Sequence, residues 1–502
     1  MIHHLKDLSG GFDDHADVIV VGSGAGGAVA ARNFAAAGLR TVVLEAGPQI
    51  APEDMTRDGP GFMSQYMWDG GLRIIQAKSP VPIMQGRCLG GSTVMNSAIM
   101  LKIPDWVRQD WSRSNGLHWL EGPELDAAFE RIFEGTRTAP TPMSVMGPRN
   151  RVVQKALAAA GQPGKALPRA VHNCEGCADC LVGCASGAKQ STDRSYIPYA
   201  VKDGARVYTC AHVESIEMSG TRAVGVTGRV VDPRGRRSVG TFHVRAPRIV
   251  LAAGVMNTPC ILQRSGINPR GRVGATLNVH LTGGVIARME ERVDPWIGAT
   301  QGWGAISEDI RGMKFESLWA PPGLLLAKWG GMGEAFLREL SEIKYMAVIA
   351  IVYRGKCSGS VKADRHGRPN MKFQVPDFEA RNVFRGMKMA ADGFLDVGAQ
   401  YVTTGSMPGV PSKLRSKRDT EHLLSSKLGA KHMMMTGNHA FGSCRMSASE
   451  SEGPVDPSGA VRGVTGVYIC DTSIFPSPTA VNPQATCMAM ADVLTRQIAA
   501  RA

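Results

Sequence analysis

Residues 17–45 read DVIVVGSGAGGAVAARNFAAAGLRTVVLE, and this stretch constrains the fold more than any other. Val18, Ile19, Val20 and Val21 form an apolar, β-branched run that reads as a buried strand. It leads into Gly22, Gly24 and Gly27, the G-x-G-x-x-G spacing. A helix of small residues is expected over 28–37, closed by Gly38, and a second strand over 41–44. Glu45 stands at the carboxyl end of that strand. Each residue type answers a physical demand. The first glycine makes the tight turn and the second lets backbone approach a pyrophosphate. The third lets the helix pack on the strand, and the helix N-terminus faces the anion. Glu45 can accept the hydrogen bonds of a ribose diol. A lone glycine triplet is a weak signal, but here strand, helix and acid about 20 residues on agree, which predicts dinucleotide binding.

The remaining composition excludes several classes. A chain of 502 residues has room for two or three domains and a large core. Hydrophobic residues make up 43% and charged residues 20%, ordinary for a globular protein. No uncharged apolar run reaches the length of a transmembrane helix. The N-terminus has neither an apolar signal core nor a twin arginine, so the cytoplasm is the expected location, with export only through a partner that carries a signal. The net charge of +13, with basic clusters at 234–237 and 413–418, suits an anionic membrane surface or an acidic redox partner as well as plain solvated loops. No nucleic-acid motif is present.

Further along, Gly86-Arg87-Cys88-Leu89-Gly90-Gly91-Ser92-Thr93, then Asn96, makes a second anion-friendly turn. This segment resembles the flavin-embracing signature of the glucose–methanol–choline (GMC) oxidoreductases. Three more segments match that family in order. Gly254 to Ile267 is similar to its second signature, with departures at Val255 and Asn268. His439-Ala440-Phe441-Gly442 opens the third. Asp471 through Pro476, then Asn482-Pro483, is the last. The resemblance implies an α/β fold: an FAD-binding, Rossmann-like βαβ domain with an inserted α+β substrate domain on an antiparallel sheet. The expected division gives the FAD-binding domain 12–100, 196–300 and 436–502, an inserted Cys-rich segment 101–195 and a substrate domain 301–435.

It also implies the site. Gly22, Gly24, Gly27, Glu45, Arg87, Gly90, Gly91, Ser92, Asn96, Val213 and Asp471 are expected to hold FAD, Val213 at the adenine. His439 is the expected base, and Asn482 takes the second pocket position, where an amide orients the hydroxyl. Some relatives link flavin covalently through a histidine just before the asparagine of the second glycine turn. Met95 occupies that position here, so non-covalent FAD is expected.

Cys174, Cys177, Cys180 and Cys184 follow C-x2-C-x2-C-x3-C, a bacterial iron–sulfur spacing without its trailing proline. A [4Fe–4S] or [3Fe–4S] cluster is the leading expectation. Free thiols with a packing role, a zinc site and disulfides are the alternatives. Residues 50–80 are loop-like and carry Phe62, Met63, Tyr66, Met67 and Trp68, a lid over an apolar pocket or a satellite core. Helices are expected over 125–133, 152–160, 321–329, 332–340 and 484–500, strands over 206–210, 211–216, 248–252, 345–353 and 466–470, and a hairpin near 232–235. The apolar content of 301–435 suggests a lipophilic substrate. The expected function is oxidation of such an alcohol by hydride transfer to flavin N5, with His439 as base. Electrons would pass through the cluster to a quinone, cytochrome or partner subunit. An oxygen-using oxidase with a structural cysteine segment, or a lyase on the same fold, is the alternative.

Overall fold

The structure, a computed structural model, describes residues 1–234, 237–322, 333–405, 407 and 409–501. The strand Val18–Val21 and the strand Thr41–Leu44 are buried at every position and pair in parallel. Such runs, apolar on both faces, belong in a sheet covered on both sides. The full sheet has six strands, all parallel, in the order Ile2–His3, Arg206–Tyr208, Thr41–Leu44, Val18–Val21, Ile249–Leu251, Val467–Ile469. Four distant parts of the chain therefore meet in one layer.

The helix after the first strand spans Ala25–Ala36 and packs on the closing helix Gln484–Ala499. It begins three residues earlier than expected, because Gly24 is extended and serves as its cap while Ala25, Gly26 and Gly27 already turn. Its small side chains let the helix lie close to the sheet. All five later strands match their expected positions to within a few residues: Arg206–Tyr208, Ala211–Ser219, Ile249–Leu251, Met346–Tyr353 and Val467–Ile469. The hairpin joins Arg222–Val231 to Ser238–Arg245, but Gly235 at its tip lies outside the described residues. A strand not foreseen, Gly10–His15, runs parallel to Ser238–Arg245. Its sequence, GGFDDH, has no apolar alternation. Phe12 holds it by stacking between Tyr208 and Phe242.

A second six-stranded sheet is antiparallel, in the order Ala399–Thr403, Leu281–Met289, Met346–Tyr353, Met313–Ser317, Trp303–Ile306, Lys165–Ala166. The helices Asp377–Asp396 and Gly147–Ala159 pack against it. The helix expected over 321–329 falls largely outside the described residues. Gly333–Ser341 is helical, as expected for its segment. Within the lid-like stretch, Gly59–Tyr66 is a helix, capped by Asp58, whose carboxylate accepts the Gly61 N–H at 3.0 Å. Phe62, Tyr66 and Met67 form a small core with Ile50, Trp319 and Met346. Among the described residues, no helix is long and apolar enough to cross a membrane.

Candidate active site

One cavity of about 1350 Å³ runs from the first glycine turn to the antiparallel sheet. At the turn, a Cβ on Gly27 would lie 2.0 Å from the Gly22 carbonyl oxygen, so only glycine lets the helix approach the strand here. Around Gly24 the opposite holds: a Cβ would meet nothing within 4 Å. The backbone there faces open cavity, as it must to receive a pyrophosphate.

Glu45 lies at the cavity wall, 6% exposed. Its Oε2 accepts the N–H of Ser23 at 3.0 Å and the Ser23 hydroxyl at 2.6 Å, and its Oε1 accepts the Gly47 N–H at 2.9 Å. Burial pushes its carboxyl above the usual carboxylate range, although these hydrogen bonds and Arg87 oppose the shift. Ser23 Oγ in turn accepts the Gly90 N–H at 2.9 Å, which ties the two glycine turns together. Asp471 is fixed similarly. Its Oδ2 accepts from Gly254 N–H at 3.0 Å and the Thr258 hydroxyl at 2.6 Å, and its Oδ1 from Ser473 N–H at 2.8 Å.

The structure brings Gly22, Gly24, Glu45, Arg87, Gly91, Ser92, Asn96, Val213, Asp471, His439 and Asn482 to this one cavity. Gly27 and Gly90 shape the turns without lining it. Met95 also lines it. The donor turn at Gly24, the open backbone and the acid at the end of the second strand fit FAD. Met63 and Met67 line the cavity from the lid-like segment, so that stretch is both satellite core and wall.

At the far end His439 Nδ1 lies 3.1 Å from His280 Nδ1. The imidazole of His439 is pushed down to about 4, first by burial and then by Lys314, with Glu316 opposing. It is therefore neutral near pH 7 and able to accept a proton. His280, fully buried, is held well below its usual range by burial and by His439. In the tautomer in which His439 Nδ1–H donates to His280 Nδ1, the His439 Nε2 lone pair is left to accept a proton. Asn482 lines the same end, and its Oδ1 accepts a hydrogen bond from Lys314 Nζ.

Sequence reasoning missed Ser23, His280, Lys314 and Glu316. Ser23 sits inside the glycine triplet, where a hydroxyl between two turn glycines was the available clue. The other three are joined to the site only by the tertiary fold.

The cysteine segment gives no support to the expected cluster. Cys174, Cys177, Cys180 and Cys184 do line one cavity, but it measures about 10 Å³, room for about one water. A cubane cluster is many times larger. Among the described residues, no three His, Cys, Asp or Glu side chains come together as a group that could hold a metal ion. Cys177 faces solvent. Cys180 Sγ accepts from Arg169 at 3.2 Å, and Cys184 Sγ from the Lys189 N–H at 3.3 Å. Burial would raise the Cys180 thiol, but Arg169 and Lys189 outweigh it and hold it below the usual range. The spacing thus folds into a nest in which Cys180 faces the buried Arg169 guanidinium and Cys184 the Lys189 backbone N–H. All eleven cysteines are free.

Profiles of the GMC oxidoreductase N-terminal and C-terminal domains match residues 16–282 and 355–491. The chain belongs to the GMC oxidoreductase family. An uncharacterised GMC-type oxidoreductase of Mycobacterium tuberculosis is 32% identical over 490 residues, covering 97% of this chain and 76% of the relative. A long-chain-alcohol oxidase of Arabidopsis thaliana is 28% identical over 517 residues, covering 96% and 68%. Among solved structures, a pyridoxine 4-oxidase superposes with a TM-score of 0.73 at 17% identity, covering 96% of this chain and 98% of that one. That likeness bears on the fold. Family membership makes this GMC protein a flavin-dependent oxidoreductase acting on CH–OH groups.

Proposed function

We propose that this GMC protein oxidises a lipophilic alcohol, with His439 taking the hydroxyl proton and Asn482 holding the reacting oxygen. The observation that carries this reading is the placement of a neutral imidazole and an amide at one end of the cavity whose other end is the glycine turn. When bound there, FAD supplies the acceptor for the carbon-bound hydride. Met95, in place of a linking histidine, supports flavin held without a covalent bond. Gly22, Gly24 and Gly91 offer backbone to the pyrophosphate, while Glu45 stands near the ribose.

Substrate class follows from the walls. Met84, Ile286, Leu318, Phe384, Met433 and Met435 line the cavity, whose wall is more apolar than polar. Leu72 and Met434 line it too and are 75% and 46% exposed, an apolar rim suited to a substrate arriving from a lipid phase. That rim and the +13 charge support peripheral contact with an anionic membrane. The name of the Arabidopsis relatives, long-chain-alcohol oxidases, points the same way and favours oxygen as the electron acceptor. No electron path through the cysteine nest is proposed.

The test is a panel of alcohols scored by kcat/KM, with oxygen consumption followed directly. Long-chain primary or terpenoid alcohols should exceed free hexoses and choline. A best specificity constant on a free sugar would overturn the lipophilic reading.

A further inference from the structure

The strand Met313–Ser317 is buried along its whole length. Alternate residues of a strand point to opposite faces. Met313 and Phe315 enter the apolar core of the antiparallel sheet. Lys314 and Glu316 therefore share the other face, 1% and 3% exposed. A buried ion pair stabilises a fold less well than apolar residues of similar volume. Its presence in a central strand asks for a reason outside stability.

The hydrogen bonds supply one. Lys314 Nζ donates to Glu316 Oε1 and to Asn482 Oδ1. An ammonium has three donors and no acceptor, so the amide atom facing it has to be oxygen. The orientation of Asn482 is thereby fixed by chemistry, with its NH2 turned from Lys314. Glu316 Oε2 accepts from Gln301 Nε2 at 2.9 Å, and Asn482 also hydrogen-bonds the Glu316 carboxyl. Glu316, Gln301 and Asn482 all line the cavity, whereas Lys314 stands behind them.

Resting on the reaction proposed above, we infer that Lys314 and Glu316 are positioning residues that clamp Asn482 with an amide N–H directed at the reacting oxygen. The oxygen then meets a donor from Asn482 and an acceptor from His439. As its O–H bond breaks and the proton moves to His439 Nε2, negative charge grows on the oxygen. An amide already oriented for that charge needs no rearrangement at the moment of reaction. The ammonium on Oδ1 polarises the amide and strengthens its N–H as a donor. Glu316 balances Lys314 and favours the imidazolium that forms, while Lys314 opposes it. The groups facing His439 are these two and His280, with Arg354 acting on His280 at longer range.

The test is a double-mutant cycle on the flavin-loaded protein. Lys314→Met should keep its flavin and lower kcat by about tenfold to a hundredfold, with little change in KM. Asn482→Ala should lower kcat comparably. Because Lys314 acts through Asn482, the double variant should be no slower than Asn482→Ala alone, a failure of additivity that general loosening of the core would not give. The acid limb of kcat/KM should move to higher pH in Lys314→Met, which removes a cation from beside His439. In Glu316→Gln it should move to lower pH. If Lys314→Met fails to bind flavin, Glu316→Gln, nearly isosteric, carries the test through the limb alone. Additive losses, an unchanged kcat in Lys314→Met, or an acid limb that does not move in Glu316→Gln would overturn the inference. Failure of the underlying reaction would look different: no alcohol would turn over in the wild type.

Discussion

The acidity of His439 gives the most discriminating single experiment on the base. An imidazole in water titrates near 6.5, whereas burial holds that of His439 down to about 4. At pH 5.5 an imidazole of pKa about 4 is about 97% neutral, against about 9% for one at 6.5. Activity at pH 5.5 should therefore stand near its plateau, about ten times the value expected of a solvent-exposed histidine. The assay is stopped-flow reduction of the bound flavin by a long-chain alcohol without oxygen, from pH 4.5 to 8, which separates chemistry from reoxidation. The same shift acts on stability. Below pH 6.5 the unfolded chain takes up a proton at this position that the folded chain refuses until about pH 4. Stabilisation present above pH 6.5 is thus lost as pH falls toward 4, by about 3 kcal/mol from this residue. An acid limb at 6.5 or above in the reduction rate, with the flavin retained, would refute the reasoning and place the base elsewhere.

Other outcomes follow from the same geometry. His439→Ala should keep its flavin and lose about 10² to 10⁴ in kcat, the usual contribution of a positioned base, as read by steady-state turnover. Gly27→Ala should lose flavin affinity, since its Cβ would sit 2.0 Å from the Gly22 oxygen; absorbance at the flavin band after gel filtration reads it. Acid precipitation of the wild type should leave FAD in the supernatant, because Met95 offers no covalent link. Iron and acid-labile sulfide in protein purified without oxygen should be well below one per chain, and stoichiometric amounts would restore the cysteine segment as a cluster site.

The glycine turn was legible because its chemistry is local: Gly22, Gly24, Gly27 and Glu45 lie within one βαβ unit, and each residue type answers to backbone geometry. His439 and Asn482 could be found through their motifs. Lys314 and Glu316 could not. In MKFES, charges at alternate positions read as a solvent face, and only the sheet and the closing segment that carries Asn482 bury them. His280 escaped for the same reason, since its partner is 159 residues away. The helix Gly59–Tyr66 was present in the sequence as Asp58, the capping residue, followed by Pro60, but the many glycines of its surroundings hid it. Cysteine spacing alone does not establish a cluster, because sequence separation does not fix where thiols point. The guanidinium of Arg169, five residues before Cys174, and the backbone N–H of Lys189, five after Cys184, each hold one of the sulfurs.

The central claim is that bound flavin accepts hydride from a lipophilic alcohol with His439 in place. Anaerobic titration of the flavin-loaded protein with one long-chain primary alcohol tests it most directly. The flavin absorbance should bleach with about one alcohol per flavin and return on admitting air, while His439→Ala bleaches far more slowly. Absorbance unmoved by every long-chain alcohol, in protein whose flavin dithionite still reduces, would contradict the account.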